Sequence, residues 1–254
     1  MNILVANDDG IEAKGIRELV KALSEIATIY VCAPHTQRSA SGHGITVSRP
    51  ITAEEVAFEN AAMALSLSGT PADCIKLGMK ILEQKSIKAD MVFSGINHGG
   101  NLGTDTLYSG TVSAAIEGSI CGVPSVAVSV DSHQAEHFAY ACKLAREAFD
   151  WCRKYGTPDT VLNINTPNLP EKEIKGLKFT TLGRREYKEF FAPVELEDGR
   201  TGYRYSGDPV VYEGLPDTID VIAMQDGYAS ITPLHRDLTD YRSLDKIKKW
   251  RIGK

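Results

Sequence analysis

The stretch Asp90-Met91-Val92-Phe93-Ser94-Gly95-Ile96-Asn97-His98-Gly99-Gly100-Asn101-Leu102-Gly103-Thr104-Asp105-Thr106-Leu107-Tyr108-Ser109-Gly110-Thr111-Val112 decides how this chain folds. It opens on a short apolar run, passes through a polar segment rich in glycine and asparagine, and ends on Ser-Gly-Thr. Residues 90–93 read as a buried strand, and the small residues from Ser109 to Cys121 as a helix. Val123 to Val130, with Pro124 near its start, reads as the next strand. Parallel strands need such a crossover, so the stretch predicts a strand–helix–strand unit.

The alternation continues on both sides. Ile3-Leu4-Val5-Ala6 is a short apolar run followed by a turn signal. Ile16, Leu19, Val20, Leu23 and Ile26 recur at helical spacing and predict a helix over 14–26. Thr28 to Ala33 is β-branched, ends at Pro34 and predicts a second strand. A helix is expected from Pro71 to Ile81-Leu82, another over 134–155, and a strand over Val161-Leu162-Asn163-Ile164. This is the pattern of an α/β, Rossmann-like, doubly wound and mostly parallel sheet, which binds ligands beyond the carboxyl ends of its strands.

After Pro167 the character changes. Residues 175–215 are rich in Tyr, Phe, Arg and Glu, with turn signals at Glu197-Asp198-Gly199 and Ser206-Gly207-Asp208-Pro209. They predict a C-terminal β-hairpin extension. The expected organisation is one unit, 1–254, made of an α/β core (1–170) and an extension with hairpins and a terminal helix (171–254).

The chain has 254 residues, 43% hydrophobic and 24% charged, with a net charge of −5. No Lys/Arg run and no basic–aromatic cluster is present, so duplex nucleic acid is not an expected partner. A phosphorylated small molecule stays open, because a bound cation can supply positive charge. The N-terminus lacks the features of a signal peptide, and no window approaches the ~20 apolar residues of a membrane span. The 5 cysteines are scattered and never form Cys-x-x-Cys. A reducing cytoplasm without structural zinc is the economical expectation.

Three polar loops follow predicted strands. Asn7-Asp8-Asp9-Gly10 places two adjacent carboxylates at a strand end, where they repel each other unless a cation or protons compensate. Oxygen ligands of this kind suit Mg²⁺ or Mn²⁺; a turn with a helix cap would use the same residue types. His35 to Gly44 is long for a connection in such a sheet; Ser39 offers a hydroxyl and Arg38 a cation. Its histidines lack zinc-site spacing. In the third loop, glycines let backbone approach a ligand, and a helix start at Ser109 to Thr111 offers N–H groups and hydroxyls to an anion. No Walker lysine follows. Together the loops suggest a cation on Asp8, Asp9, Ser39 and Asn97, a phosphate at 109–111, and phosphoester hydrolysis. Asp8 is the better nucleophile or base.

These residues resemble the SurE family, the "survival protein E" nucleotidases. The resemblance covers nearly the whole chain. It rests on Ile3 to Gly10, the Ala33-Pro34 run containing Ser39, Ser68 to Cys74, Ser94 to Asn97, Leu107 to Val112, Asn165-Thr166-Pro167 and Thr232-Pro233-Leu234. It implies phosphate removal from nucleoside monophosphates, mainly 5′ and often 3′, with some members attacking polyphosphate ends. It implies one divalent ion on Asp8, Asp9, Ser39 and Asn97, phosphate contacts at Asn101, Ser109, Gly110 and Thr111, and a homodimer or dimer of dimers with an exchanged extension. His98 falls where the family varies. Two rivals remain: a haloacid-dehalogenase-type phosphatase, which expects Asp-x-Asp where this chain has Asn-Asp-Asp, and a nucleotide-binding regulatory module without turnover.

Overall fold

The structure, a computed structural model, describes residues 1–188, 191–205 and 207–250. The chain begins with β1 (Asn2–Ala6), α1 (Lys14–Ser24) and β2 (Thr28–Pro34), then β3 (Ala53–Glu55), β4 (Met63–Leu67) and α2 (Pro71–Gln84). β5 (Met91–His98), α3 (Gly110–Ile120), β6 (Ser125–Val130), α4 (Ala139–Tyr155) and β7 (Val161–Thr166) complete the alternating part. The remainder forms β8 (Leu177–Phe179), β9 (Phe191–Glu195), β10 (Thr201–Tyr205), α5 (Asp220–Gln225), β11 (Ala229–Leu234) and α6 (Tyr241–Lys249).

One sheet runs β3-β4-β2-β1-β5-β6-β7-β11-β8, and β9 with β10 makes a separate hairpin. β4, β2, β1, β5, β6 and β7 are mutually parallel. Successive residues of a strand point to opposite faces, and β1 shows it. Ile3 and Val5 pack with Ile16, Leu19, Val20 and Leu23 of α1 and with Ala141 and Leu144 of α4. Leu4 and Ala6 pack with Cys74 and Ile75 of α2 and Ala114 of α3. Helices therefore cover both faces, as the doubly wound expectation requires.

Local chemistry explains where elements start. α2 opens on a capping box: the Thr70 hydroxyl accepts from the Asp73 N–H at 3.1 Å, and the Asp73 carboxylate takes the Thr70 N–H at 2.9 Å. Pro71 stands at the first turn, where its missing N–H costs nothing. α4 starts at Ala139 rather than 134, because Asn168 Oδ1 takes the N–H groups of Glu136 and His137 and holds them outside the helix. β5 runs on to His98, past the expected end at Phe93, because a register shift against β6 between Ser94 and Asn97 absorbs the irregularity. There Gly95 has φ 129°, and a Cβ on it would lie 2.2 Å from the Val128 carbonyl oxygen.

The region 175–215 is only partly the expected set of hairpins. β9 and β10 form one, around Glu197-Asp198-Gly199. β8 instead joins the main sheet, parallel to β11, which lies antiparallel to β7. Pro233 is tolerated within β11 because β8 pairs only with Ala229, Ser230 and Ile231, so no β8 partner awaits the missing N–H. Of the second turn signal, Ser206 lies outside the described residues.

Candidate active site

β1 has β2 on one side and β5 on the other, so the connections leave in opposite directions and a crevice opens beyond their carboxyl ends. Three loops meet there: Asn7 to Gly10, residues 35–46 and residues 99–109.

Asp8 is the hub. Its side chain is buried, and the Thr111 hydroxyl donates to Oδ1 at 2.5 Å. The start of α3 abuts it so closely that a Cβ on Gly110 would lie 2.8 Å from the Asp8 Cβ. Only glycine permits that approach. Burial pushes the Asp8 carboxyl up to about 6; hydrogen bonding from Thr111 opposes the shift and the charge of Asp9 adds to it. Asp9 Oδ2 accepts the His98 backbone N–H at 3.0 Å, and Oδ1 accepts from Gln37 Nε2 at 3.3 Å. The His98 ring packs against Phe138 with Nδ1 3.8 Å from Asp9 Oδ2.

The remaining residues read from the sequence fall around this pair. Asn97 donates Nδ2 to the Gly99 carbonyl at 2.7 Å, which leaves its Oδ1 as a free acceptor. Ser39 lies on an exposed turn one residue after Arg38, whose N–H donates to the Asp8 carbonyl at 2.7 Å. Ser109 is the N-cap of α3, its Oγ accepting the Val112 N–H at 3.0 Å. Asn101 is buried and gives Nδ2 to Ser129 Oγ at 2.8 Å.

The donor set fits a hard divalent cation. Among the described residues no Lys or Arg side chain pairs with Asp8 or Asp9, and Asn7 Oδ1 is buried beside them without a partner. No group of three or more His, Cys, Asp or Glu is placed to hold a metal among the described residues, so neutral oxygens such as those of Asn97 and Ser39 must complete any shell.

The β5 wall is braced from a distance. The Asn101 N–H donates to Asn165 Oδ1, while its carbonyl accepts from Asn163 and Asn165. Asp131 accepts the Gly100 N–H, and the buried Asp220 takes the N–H groups of Gly103 and Gly183, each at 2.7 Å. Tyr187 donates to Asp105, and the Arg185 guanidinium lies 3.4 Å from the same carboxylate. Residues 183–187, beyond the α/β alternation, thus line the loop that precedes α3. Sequence reading missed these braces. Asn163 and Asn165 left a signal, two asparagines on one face of a strand otherwise apolar; Asp220 left none.

The fold and crevice define an α/β protein in which the start of a helix, with its free N–H groups, meets a cluster of oxygen donors. Residues 3–189 match the family described as Survival protein SurE. The chain is 44% identical over 255 residues to a 5'-nucleotidase SurE of Heliobacterium modesticaldum, covering 100% of this chain and 93% of the relative. It is 46% identical over 251 residues to a 5'-nucleotidase SurE of Pelotomaculum thermopropionicum, covering 98% and 95%. The crystal structure of the SurE protein from Aquifex aeolicus superposes with a TM-score of 0.84 at 37% identity, covering 98% of this chain and 99% of that one. This chain belongs to the SurE family. Among the described residues, no helix is long and apolar enough to cross a membrane.

Proposed function

We propose that this protein is a metal-dependent phosphomonoesterase that hydrolyses nucleoside 5′-monophosphates to nucleoside and phosphate. The observation that carries the reading is the contact of Asp8 with the head of α3: the acidic pair and the anion-binding end of a helix share one crevice. The curated relatives bear the name of that activity. The test is phosphate release from a panel of 5′- and 3′-nucleotides, sugar phosphates and polyphosphate, with and without chelator. Release from 5′-nucleotides that stops on chelation supports the reading; nucleotide binding without release returns the protein to a regulatory module.

Asp8, Asp9, Asn97 and Ser39 would hold one Mg²⁺ or Mn²⁺. Such an ion neutralises charge developing on the phosphoryl group. The other work belongs to the chain. The Ser109 Oγ accepts from Val112 as a cap, and its own proton remains to donate to phosphate. Gly110 keeps the helix start against Asp8. Asn101 spends one amide N–H on Ser129 and keeps the other for the substrate. Thr111 holds Asp8 by its hydroxyl and orients that carboxylate toward the reacting group. Thr111 therefore acts on the phosphate chiefly through Asp8, a more specific role than a direct hydroxyl contact.

The same reading makes the protein a cytoplasmic homodimer or dimer of dimers, with contacts in the C-terminal extension. The exposed Tyr203, Tyr205 and Val211, and Leu244 and Ile247 on α6, support an apolar contact there, and all 5 cysteines are free thiols. Sedimentation at the mass of one chain at micromolar concentration would refute the dimer.

A further inference from the structure

We propose that Glu117 and His43 form a positioning pair that sets the distance between the Ser39 loop and the head of α3. The inference rests on the reading of Ser39 as a neutral ligand in the proposed site.

Glu117 lies seven residues after Gly110, close to two helical turns. The two therefore share a face of α3 roughly 10 Å apart. Gly110 touches Asp8, and Glu117 reaches out of the same face farther along the helix. Glu117 is 2% exposed, and an ion so buried needs charged or hydrogen-bonding partners. It has two. Lys76 Nζ on α2 meets Oε1 at 2.7 Å, and His43 Nε2 meets Oε2 at 2.9 Å. The thiol of Cys121 lies 3.9 Å from Oε1. Burial would raise the Glu117 carboxyl, but the bonds from His43 and Lys76 win and hold it below its ordinary value. A carboxylate in that state only accepts, so the His43 Nε2 carries the hydrogen. An imidazole can donate from Nε2 whether neutral or charged.

The two partners differ in what they hold. Lys76 belongs to α2, whose place is set by its own packing and capping box. His43 belongs to the loop. Upstream, that loop is fixed where the Arg38 N–H meets the Asp8 carbonyl; downstream, where the Gly42 N–H meets the Tyr108 carbonyl at 3.0 Å. Ser39 lies between these points. Directly after the second point, His43 makes the one side-chain tie from this loop to α3 among the described residues. The helix that offers its head to the phosphate thereby also places the loop that offers Ser39. Glu117 and His43 touch no substrate; they act through Ser39.

The experiment compares His43→Ala, His43→Gln and Lys76→Ala in the full chain. Each alanine removes one partner of Glu117, but only His43→Ala removes a tie on the loop. Readouts are melting temperature, the Kd of Mn²⁺ alone by calorimetry, and kcat and KM for a 5′-nucleotide at saturating Mn²⁺. The expected result is that both alanine variants melt lower, that His43→Ala alone weakens Mn²⁺ binding by about 5- to 20-fold, the effect of losing one charge-assisted tie, and that His43→Gln, with an N–H near the position of Nε2, recovers most of it. Equal Mn²⁺ affinity in His43→Ala, Lys76→Ala and the parent overturns the positioning role and leaves Glu117 a structural ion pair. A parent protein that binds no Mn²⁺ and keeps its activity in chelator overturns the metal site as well, which separates the two failures.

Discussion

On the β5 side of the crevice, residues 99–109 are braced by four side chains from distant parts of the chain: Asp131 after β6, the buried Asn163 and Asn165 of β7, and the buried Asp220 at the start of α5. On the β2 side, residues 35–46 reach into solvent, with Ser39 and Ala40 exposed, and are tied mainly at their ends by Arg38, Gly42, His43, Gly44 and Thr46. The first wall is preorganised, because the Asn101 and Gly103 N–H groups and the Asn101 carbonyl have buried side-chain partners that would be costly to orphan. The second is a strap whose exposed apex can adjust with little loss of packing. Under the proposed function, the first wall faces the phosphate and gains from fixed dipoles, while the strap would add only one neutral oxygen to the cation shell and can be softer.

Asp8 touches both walls, and the largest effect is expected there. Asp8→Asn should lower kcat by at least about 1000-fold, since it removes charge at the reacting centre. Its stability effect has the opposite sign. Burial pushes the folded carboxyl up to about 6 from its ordinary 3.8, so the folded state binds the proton more tightly than the unfolded one. Wild-type stability without metal should therefore fall as pH rises from about 4 to about 6 and stay reduced above that. The asparagine variant escapes this cost, by up to about 3 kcal/mol at pH 8 and by almost nothing near pH 4. Thermal melts of chelated protein across that range check it; a variant that melts lower than wild type at pH 8 contradicts the burial argument.

The braced wall should be the more sensitive to losing a remote support. Asp220→Asn puts an amide N–H where a carboxylate accepted from Gly103 and Gly183, and is expected to destabilise by about 2–3 kcal/mol with a fall in kcat/KM of about 10- to 100-fold. Unchanged kinetics with lowered stability would show that the brace holds the fold without holding the site. Ser109→Ala tests the same wall from within. Loss of a donor to phosphate predicts about a 10-fold fall in kcat/KM and weaker inhibition by free phosphate, whereas loss of a cap alone predicts about 1 kcal/mol of stability and no kinetic change. The smallest effect belongs to the strap. Gln37 is exposed and reaches Asp9 at 3.3 Å, so Gln37→Ala should change kcat/KM by no more than about 3-fold. A larger loss would mean that the strap is as preorganised as the opposite wall.

Much of this was legible from the chain. Apolar runs at Ile3–Ala6, Thr28–Ala33 and Val123–Val130 announce strands because a parallel strand covered on both faces must be apolar throughout. The helix over 14–26 shows its periodicity because one side meets the sheet and the other meets water. Polar loops after strands pointed to one crevice, since parallel strands put their carboxyl ends on the same edge. Less legible were β4 and β11, whose runs are interrupted by Ser66 and Pro233, β8, only three residues long, and α5, only six.

The sequence by itself determined the doubly wound core, the acidic pair after the first strand and the small-residue helix start, because each follows from local pattern: alternation, turn chemistry, and the residue types an anion or cation needs. Tertiary structure alone decided which groups serve one another. That the Thr111 hydroxyl is held by Asp8, that Asn163 and Asn165 support Asn101, that Asp220 reaches back to Gly103, and that Glu117 meets His43 depend on contacts between residues up to 117 positions apart. Such pairs leave no periodic trace in a sequence, because a lone carboxylate or asparagine looks the same whether it faces water or braces a site. Burial distinguishes them, and burial is a property of the folded chain.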